Sequence, residues 1–156
     1  MKFNNETLRA ALEEWLDDDK KAETIHGHIS NWDVSEVTDM STLFWNLTTW
    51  LGCESFNQPI GDWDVSNVTN MDNMFENIKT FNQPIGNWDV SKVTSMKWMF
   101  SGATAFNQDI SNWDVSNVTK MDGMFDDTEL IEKYGINGQL FKNNKVKEKE
   151  VDIDTG

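Results

Sequence analysis

The sequence predicts an α/β fold, a short solenoid of four strand–helix repeats of ~25 residues behind an N-terminal capping helix. Three observations predict it. The word Trp-Asp-Val-Ser-x-Val-Thr-x-Met occurs four times, beginning at Trp32, Trp63, Trp88 and Trp113, at intervals of 31, 25 and 25 residues. Within each copy the apolar spacing changes from about two to about 3.6. Ahead of the first copy, Leu8, Ala11, Leu12, Trp15 and Leu16 make a helical stripe that starts after Asn4 or Asn5.

The capping helix and its lead-in take residues 1–28, and the four copies take 29–134. In each copy the first half, as in Ile60-Gly61-Asp62-Trp63-Asp64-Val65, alternates apolar and polar groups and reads as a short strand with one buried side. The second half places Met71, Met74, Phe75 and Ile78 at i, i+3, i+4 and i+7, and reads as a helix. Thr69 precedes that stripe as its N-cap, with Asp72 completing a capping box. The longer first interval reflects an insertion near 45–55. The triplet Phe-Asn-Gln at Phe56, Phe81 and Phe106 reads as the joint between coils, with Asn57, Asn82 and Asn107 as a ladder that satisfies turn backbone. Residues 135–156 are expected to close the open end with Ile136, Leu140 and Phe141, and from Lys142 onward to form a mobile tail.

Composition narrows the function. The 156 residues carry 27 acidic and 13 basic side chains, a formal charge of −14. So negative a surface repels phosphate backbones and anionic membranes, which excludes general nucleic-acid binding. No apolar run is long enough to insert in a membrane, and the start carries no signal peptide, so the chain reads as soluble as given. With 38% hydrophobic residues, eight Trp, nine Phe and eight Met, it is built to pack. Its single cysteine, Cys53, makes no internal disulfide.

The run from Phe81 through Asn82-Gln83-Pro84-Ile85-Gly86-Asn87-Trp88-Asp89-Val90-Ser91 to Met99-Phe100 closely resembles the BspA-like bacterial surface protein repeat, or PARCEL-type repeat. All four copies share the resemblance. It implies a leucine-rich-repeat-like solenoid of unknown function, an interaction or adhesion module with no catalytic residues, and cell-surface display if the chain is part of a longer protein. One departure is Val68, where the leucine-rich pattern has Asn or Cys.

Among candidate sites, Trp32, Trp63, Trp88 and Trp113 recur inside an apolar pattern, and core packing is preferred to a stacked sugar platform. Trp45, Trp50 and Trp98 lie off the pattern. Trp98 stands where the other copies have Thr42, Asn73 and Gly123, so nothing in the repeat requires it; these three are the partner-binding candidates. The competing reading is that the insertion buries two of them.

Asp33, Asp64, Asp89 and Asp114 form a sheet-face column, and carboxylates ~5 Å apart repel by roughly 0.8 kcal/mol per pair even in water. Calcium could offset this, but Asp turns closed locally, with Ser35, Ser66, Ser91 and Ser116 two places on, are preferred, and no metal is assigned. His26 and His28, the only histidines, could hold a metal with Cys53 or an Asp, although the preferred reading is that they complete the turn replacing Phe-Asn-Gln in the first copy. No phosphate loop or serine–histidine pairing supports an enzyme, and no cofactor is implied. The expectation is a non-catalytic scaffold for a protein partner with a basic patch. Glycan binding through exposed tryptophans and a structural spacer of a longer surface protein are the alternatives.

Overall fold

The computed structural model describes residues 1–47 and 55–141. The four copies lie on one another in register, but the strand–helix unit is overturned. Among the described residues there is no β-strand and no sheet, only isolated parallel bridges at Lys2–Asp33, Asp39–Asn70, Asn70–Ser95 and Ser95–Lys120. Apart from residues 45–47 at the edge of the first copy's described part, the α-helices among the described residues lie outside the halves read as helical. The α/β leucine-rich-repeat-like solenoid is therefore incorrect for this chain.

The reason lies in the backbone of the segment read as a helix. Residues Thr42, Asn73, Trp98 and Gly123 all have left-handed φ, between 53° and 63°, and Asn77, Gly102 and Asp127, four places after the last three, have left-handed φ between 58° and 70°. A left-handed residue every fourth position stops an α-helix. The segment becomes a chain of tight turns, with Met74 N–H on Met71 O, Glu76 on Asn73 O and Ile78 on Phe75 O. The intervening N–H groups of Met71, Asn73, Phe75 and Asn77 reach across to Ser95, Lys97, Met99 and Ser101 at 2.8 to 3.0 Å. Backbone groups that a helix would satisfy internally are thus spent on joining copies. Thr69 is no N-cap: its hydroxyl donates to Thr38 O, and Asp72 accepts from Lys97 N–H rather than closing a capping box.

The half read as a strand turns as well, with Trp63 N–H on Ile60 O and Val68 N–H on Val65 O. Gly61 and Gly86 let successive turns touch, because a Cβ there would meet Pro84 O at 2.4 Å and Asp109 O at 2.5 Å. Inside the stack run three aromatic columns. The indoles of Trp32 and Trp63 stack at 6.5 Å and those of Trp88 and Trp113 at 6.4 Å. Phe44, Phe75, Phe100 and Phe125 form the second column, and Phe56, Phe81 and Phe106 the third. Buried with them are Met40, Met71, Met96 and Met121.

Each end is closed by side chains that imitate a missing copy. Helix α1 (Asn5–Asp17) is capped by Asn4 and buries Leu8, Ala11, Leu12 and Trp15; α2 (Asp19–His26) folds back on it. Between copies, each Thr N–H donates to the Thr carbonyl of the copy before, as Thr69 does to Thr38. Thr38 has no earlier copy, and its N–H is taken by Asn5 Oδ1 at 2.9 Å. Likewise Ser41 O, whose counterparts accept from the preceding copy, receives Arg9 Nη2 at 2.7 Å. At the far end, Gly123 N–H finds Asn137 Oδ1 at 2.7 Å in place of a fifth copy's carbonyl. There α3 (Leu130–Tyr134) lays Tyr134 on Phe125 at 5.3 Å, with Phe141 against Tyr134. Phe141 is buried as expected, whereas Ile136 and Leu140 are largely exposed. The 142–156 tail lies outside the described residues.

Candidate interaction surface

The repeat-pattern tryptophans are all buried, and each indole N–H is committed. Trp63 donates to Ile29 O, Trp88 to Ile60 O and Trp113 to Ile85 O at 2.9 to 3.1 Å, while Trp32 donates to Gly27 O. They offer no indole platform to a sugar. Beside them the third Phe column carries the asparagine ladder. Asn82 N–H donates to Asn57 Oδ1 at 2.9 Å and Asn107 N–H to Asn82 Oδ1 at 3.1 Å, with Gln83 and Gln108 bracing the same oxygens.

The carboxylates of Asp33, Asp64, Asp89 and Asp114 are exposed, and each accepts from the backbone N–H of the serine two places on, at 3.0 to 3.1 Å. Asp33, Asp64 and Asp89 also take the serine hydroxyl at 2.6 Å. Those bonds, hydroxyl first and backbone second, hold the carboxyls of Asp33 and Asp89 below the usual aspartate range, as a similar pair from Ser111 does for Asp109. The column belongs to turns rather than to a sheet face, since there is no sheet among the described residues. Among the described residues, no group of three or more His, Cys, Asp or Glu could hold a metal ion.

His28 Nδ1 caps the turn at Ser30, and His26 Nε2 lies 2.7 Å from Glu14 Oε2. The two rings serve different partners, and Cys53 lies outside the described residues, as does Trp50. Trp45 is half-buried at the point where the chain enters the insertion, and it has contacts of its own. The side-chain amides of Asn67 and Asn117 donate to Ser35 O and Ser91 O of the copies before them.

Trp98 is different from every other described tryptophan. It is 41% exposed, and its φ is 53°. A bulky residue in the left-handed region costs about 1–2 kcal/mol, so the surrounding structure must hold it there. Its backbone N–H donates to Asp122 O at 2.9 Å, and the pyrrole edge of the ring lies against Gly123 of the next copy. A Cβ on Gly123 would stand 2.2 Å from Trp98 Cδ1 and Nε1 and 2.9 Å from Asp126 Oδ2. Gly123 thus makes room for both. Lys97 Nζ stands 5.6 Å from the centre of the indole.

Lys97, Gly123 and Asp126 were not singled out from the sequence. The available signal was Asn73, Asn77, Gly102 and Gly123, residue types suited to left-handed backbone, standing at two equivalent places of the copies inside a supposed helix. Recognising them would have placed Trp98 at a turn apex.

A second surface feature is a shallow groove of about 440 Å³ along the Gly-containing turns, lined by Pro59, Gly61, Asp62, Gln83, Pro84 and Asn87 among others. It lacks an aromatic wall.

Over residues 19–138, about three quarters of its length, the chain matches the family described as Mycoplasma protein of unknown function, DUF285. The chain belongs to the DUF285 family. No curated protein and no solved structure matches it. The matched span takes in α2, all four copies and the start of the closing cap, so membership covers both the stacked core and the Trp98 edge. Among the described residues of this DUF285 chain, no helix is long and apolar enough to cross a membrane.

Proposed function

We propose that the protein is a non-catalytic scaffold that binds a protein partner, with Trp98 as the principal contact. The observation that carries this reading is the exposed, left-handed Trp98 on a stack whose other described tryptophans are buried or half-buried. Large aromatic side chains dominate binding energy where they can be desolvated by a partner, and a strained, exposed one is a poor choice for stability alone. Trp45, half-buried in the first copy, is the second candidate contact. The stack supplies rigidity, since every copy is fixed to the next by backbone hydrogen bonds and stacked rings, and binding then costs little ordering entropy.

The resemblance to BspA-like surface repeats supports an adhesion or interaction role and display at a cell surface within a longer protein. A partner with a basic patch suits the charge of −14. The test is affinity capture from host extract with wild type beside Trp98→Ala and Trp45→Ala/Trp98→Ala. Selective loss of one captured protein from the variants is expected, and identical capture profiles would sink the reading.

A second reading, glycan binding, draws on the groove beside Gly61 and Gln83, whose polar lining repeats once per copy. It predicts that a glycan array responds to Gln83→Ala and ignores Trp98→Ala.

A further inference from the structure

Resting on the scaffold reading, we infer that the Trp98 edge is a guanidinium-binding site: it recognises an arginine presented by the partner, which lies against the indole and pairs with the Asp126 carboxylate. Four features converge on that chemistry. Trp98 is 41% exposed, and cations within about 6 Å of a ring centroid are attracted to the face of an indole. Lys97 already demonstrates the attraction inside the chain, with Nζ at 5.6 Å from the ring centre. Its ammonium makes no ion pair among the described residues, so the ring is its evident partner and it can swing away on its flexible stem. The Asp126 carboxylate reaches the same spot, because the place of a Cβ on Gly123 lies 2.9 Å from Oδ2 and 2.2 Å from Trp98 Nε1. Among the described residues no hydrogen bond or ion pair occupies that carboxylate.

Geometry favours arginine over lysine. A planar guanidinium stacks flat on an indole while its edge N–H groups donate sideways to a carboxylate, which a compact ammonium cannot do in one placement. The adjoining copy also carries more acid than base, with Asp122, Asp126 and Asp127 around Gly123 against the one lysine, Lys120. Gly123 is the enabling residue. Only glycine both adopts its φ of 63° without strain and leaves space for the indole edge and the carboxylate together.

The experiment uses the full chain labelled with ¹⁵N and follows the Trp98 indole N–H signal, assigned with Trp98→Phe. Three synthetic peptides serve as probes, identical except for arginine, lysine or the neutral isostere citrulline at the central positions. The arginine peptide is expected to move the Trp98 signal saturably, with the lysine peptide several-fold weaker and citrulline silent. Affinity for the arginine peptide should fall about tenfold in Asp126→Asn and rise a few-fold in Lys97→Met, which removes the internal competitor. Equal responses to all three peptides, or unchanged affinity in Asp126→Asn with a well-dispersed spectrum, would overturn the inference. If the arginine peptide is silent while Trp98→Ala still loses the captured partner, the guanidinium inference fails and the scaffold reading survives. If neither responds, both fail.

Discussion

The middle of the stack and its two ends solve one problem with different groups. In the middle, backbone pairs with backbone: Thr94 N–H meets Thr69 O at 2.9 Å, and Trp98 N–H meets Asp122 O at 2.9 Å. At the ends, the same kinds of donor and acceptor meet the side chains of Asn5, Arg9 and Asn137. The lesson is that copy number is limited by what happens to orphaned backbone groups. Apolar ends can be covered by any greasy helix, but an N–H or C=O pointing along the stack needs a partner of matching geometry. Thr38 and Ser41 already have theirs, so no further copy stacks on that edge.

The largest expected loss tests the middle. Trp88→Ala removes a buried indole, its stacking on Trp113 and its bond to Ile60 O, and should cost about 3–5 kcal/mol in urea unfolding. A loss below ~1 kcal/mol would mean that the indole column is not what joins copies. Next comes Gly123→Ala, expected to cost about 2 kcal/mol or more from left-handed strain and collision with Trp98. Adding Trp98→Ala should return the collision part, so a double-mutant cycle with no coupling would contradict the contact.

The ends should respond more mildly. Asn5→Ala removes the bonds to Thr38 and Asp39 and should cost about 1 kcal/mol, with hydrogen exchange rising at those two amides before any in the third copy. Uniform exchange along the stack would erase the distinction between cap and middle. The smallest effect concerns the Asp turns. Asp33, Asp89 and Asp109 titrate below their unfolded value of about 4 because serine groups bond the charged form. Their contribution is therefore complete above about pH 4 and is lost as pH falls through the folded values. Ser91→Ala should flatten the acid limb of thermal midpoint against pH slightly, and an unchanged slope would remove Asp89 from that account.

Much of the site was legible in part. Trp98 stood out because no repeat rule demanded it, and Asn57, Asn82 and Asn107 announced their ladder by recurring beside phenylalanine. The Met-x-x-Met-Phe spacing misled, because positions i, i+3 and i+4 also face one way along a ribbon of successive turns. Helical spacing in such a segment reflects burial, and burial alone does not report backbone hydrogen bonding. Asn73, Asn77 and Gly102 were the contrary signal, being suited to left-handed backbone where a helix would disfavour them.

By itself the sequence determined the number of copies, their register, the residues that face inward and the helix that covers the first of them. Each follows from composition and repetition, since large apolar groups at fixed intervals must share one interior. Only the tertiary structure decided that the copies are turns rather than strands and helices, because that choice depends on where each N–H finds its acceptor. For Met71, Asn73, Phe75 and Asn77 the acceptor is 24 residues away in the next copy, beyond the reach of any local pattern. The same long-range pairing brought Gly123 and Asp126 to the edge of Trp98.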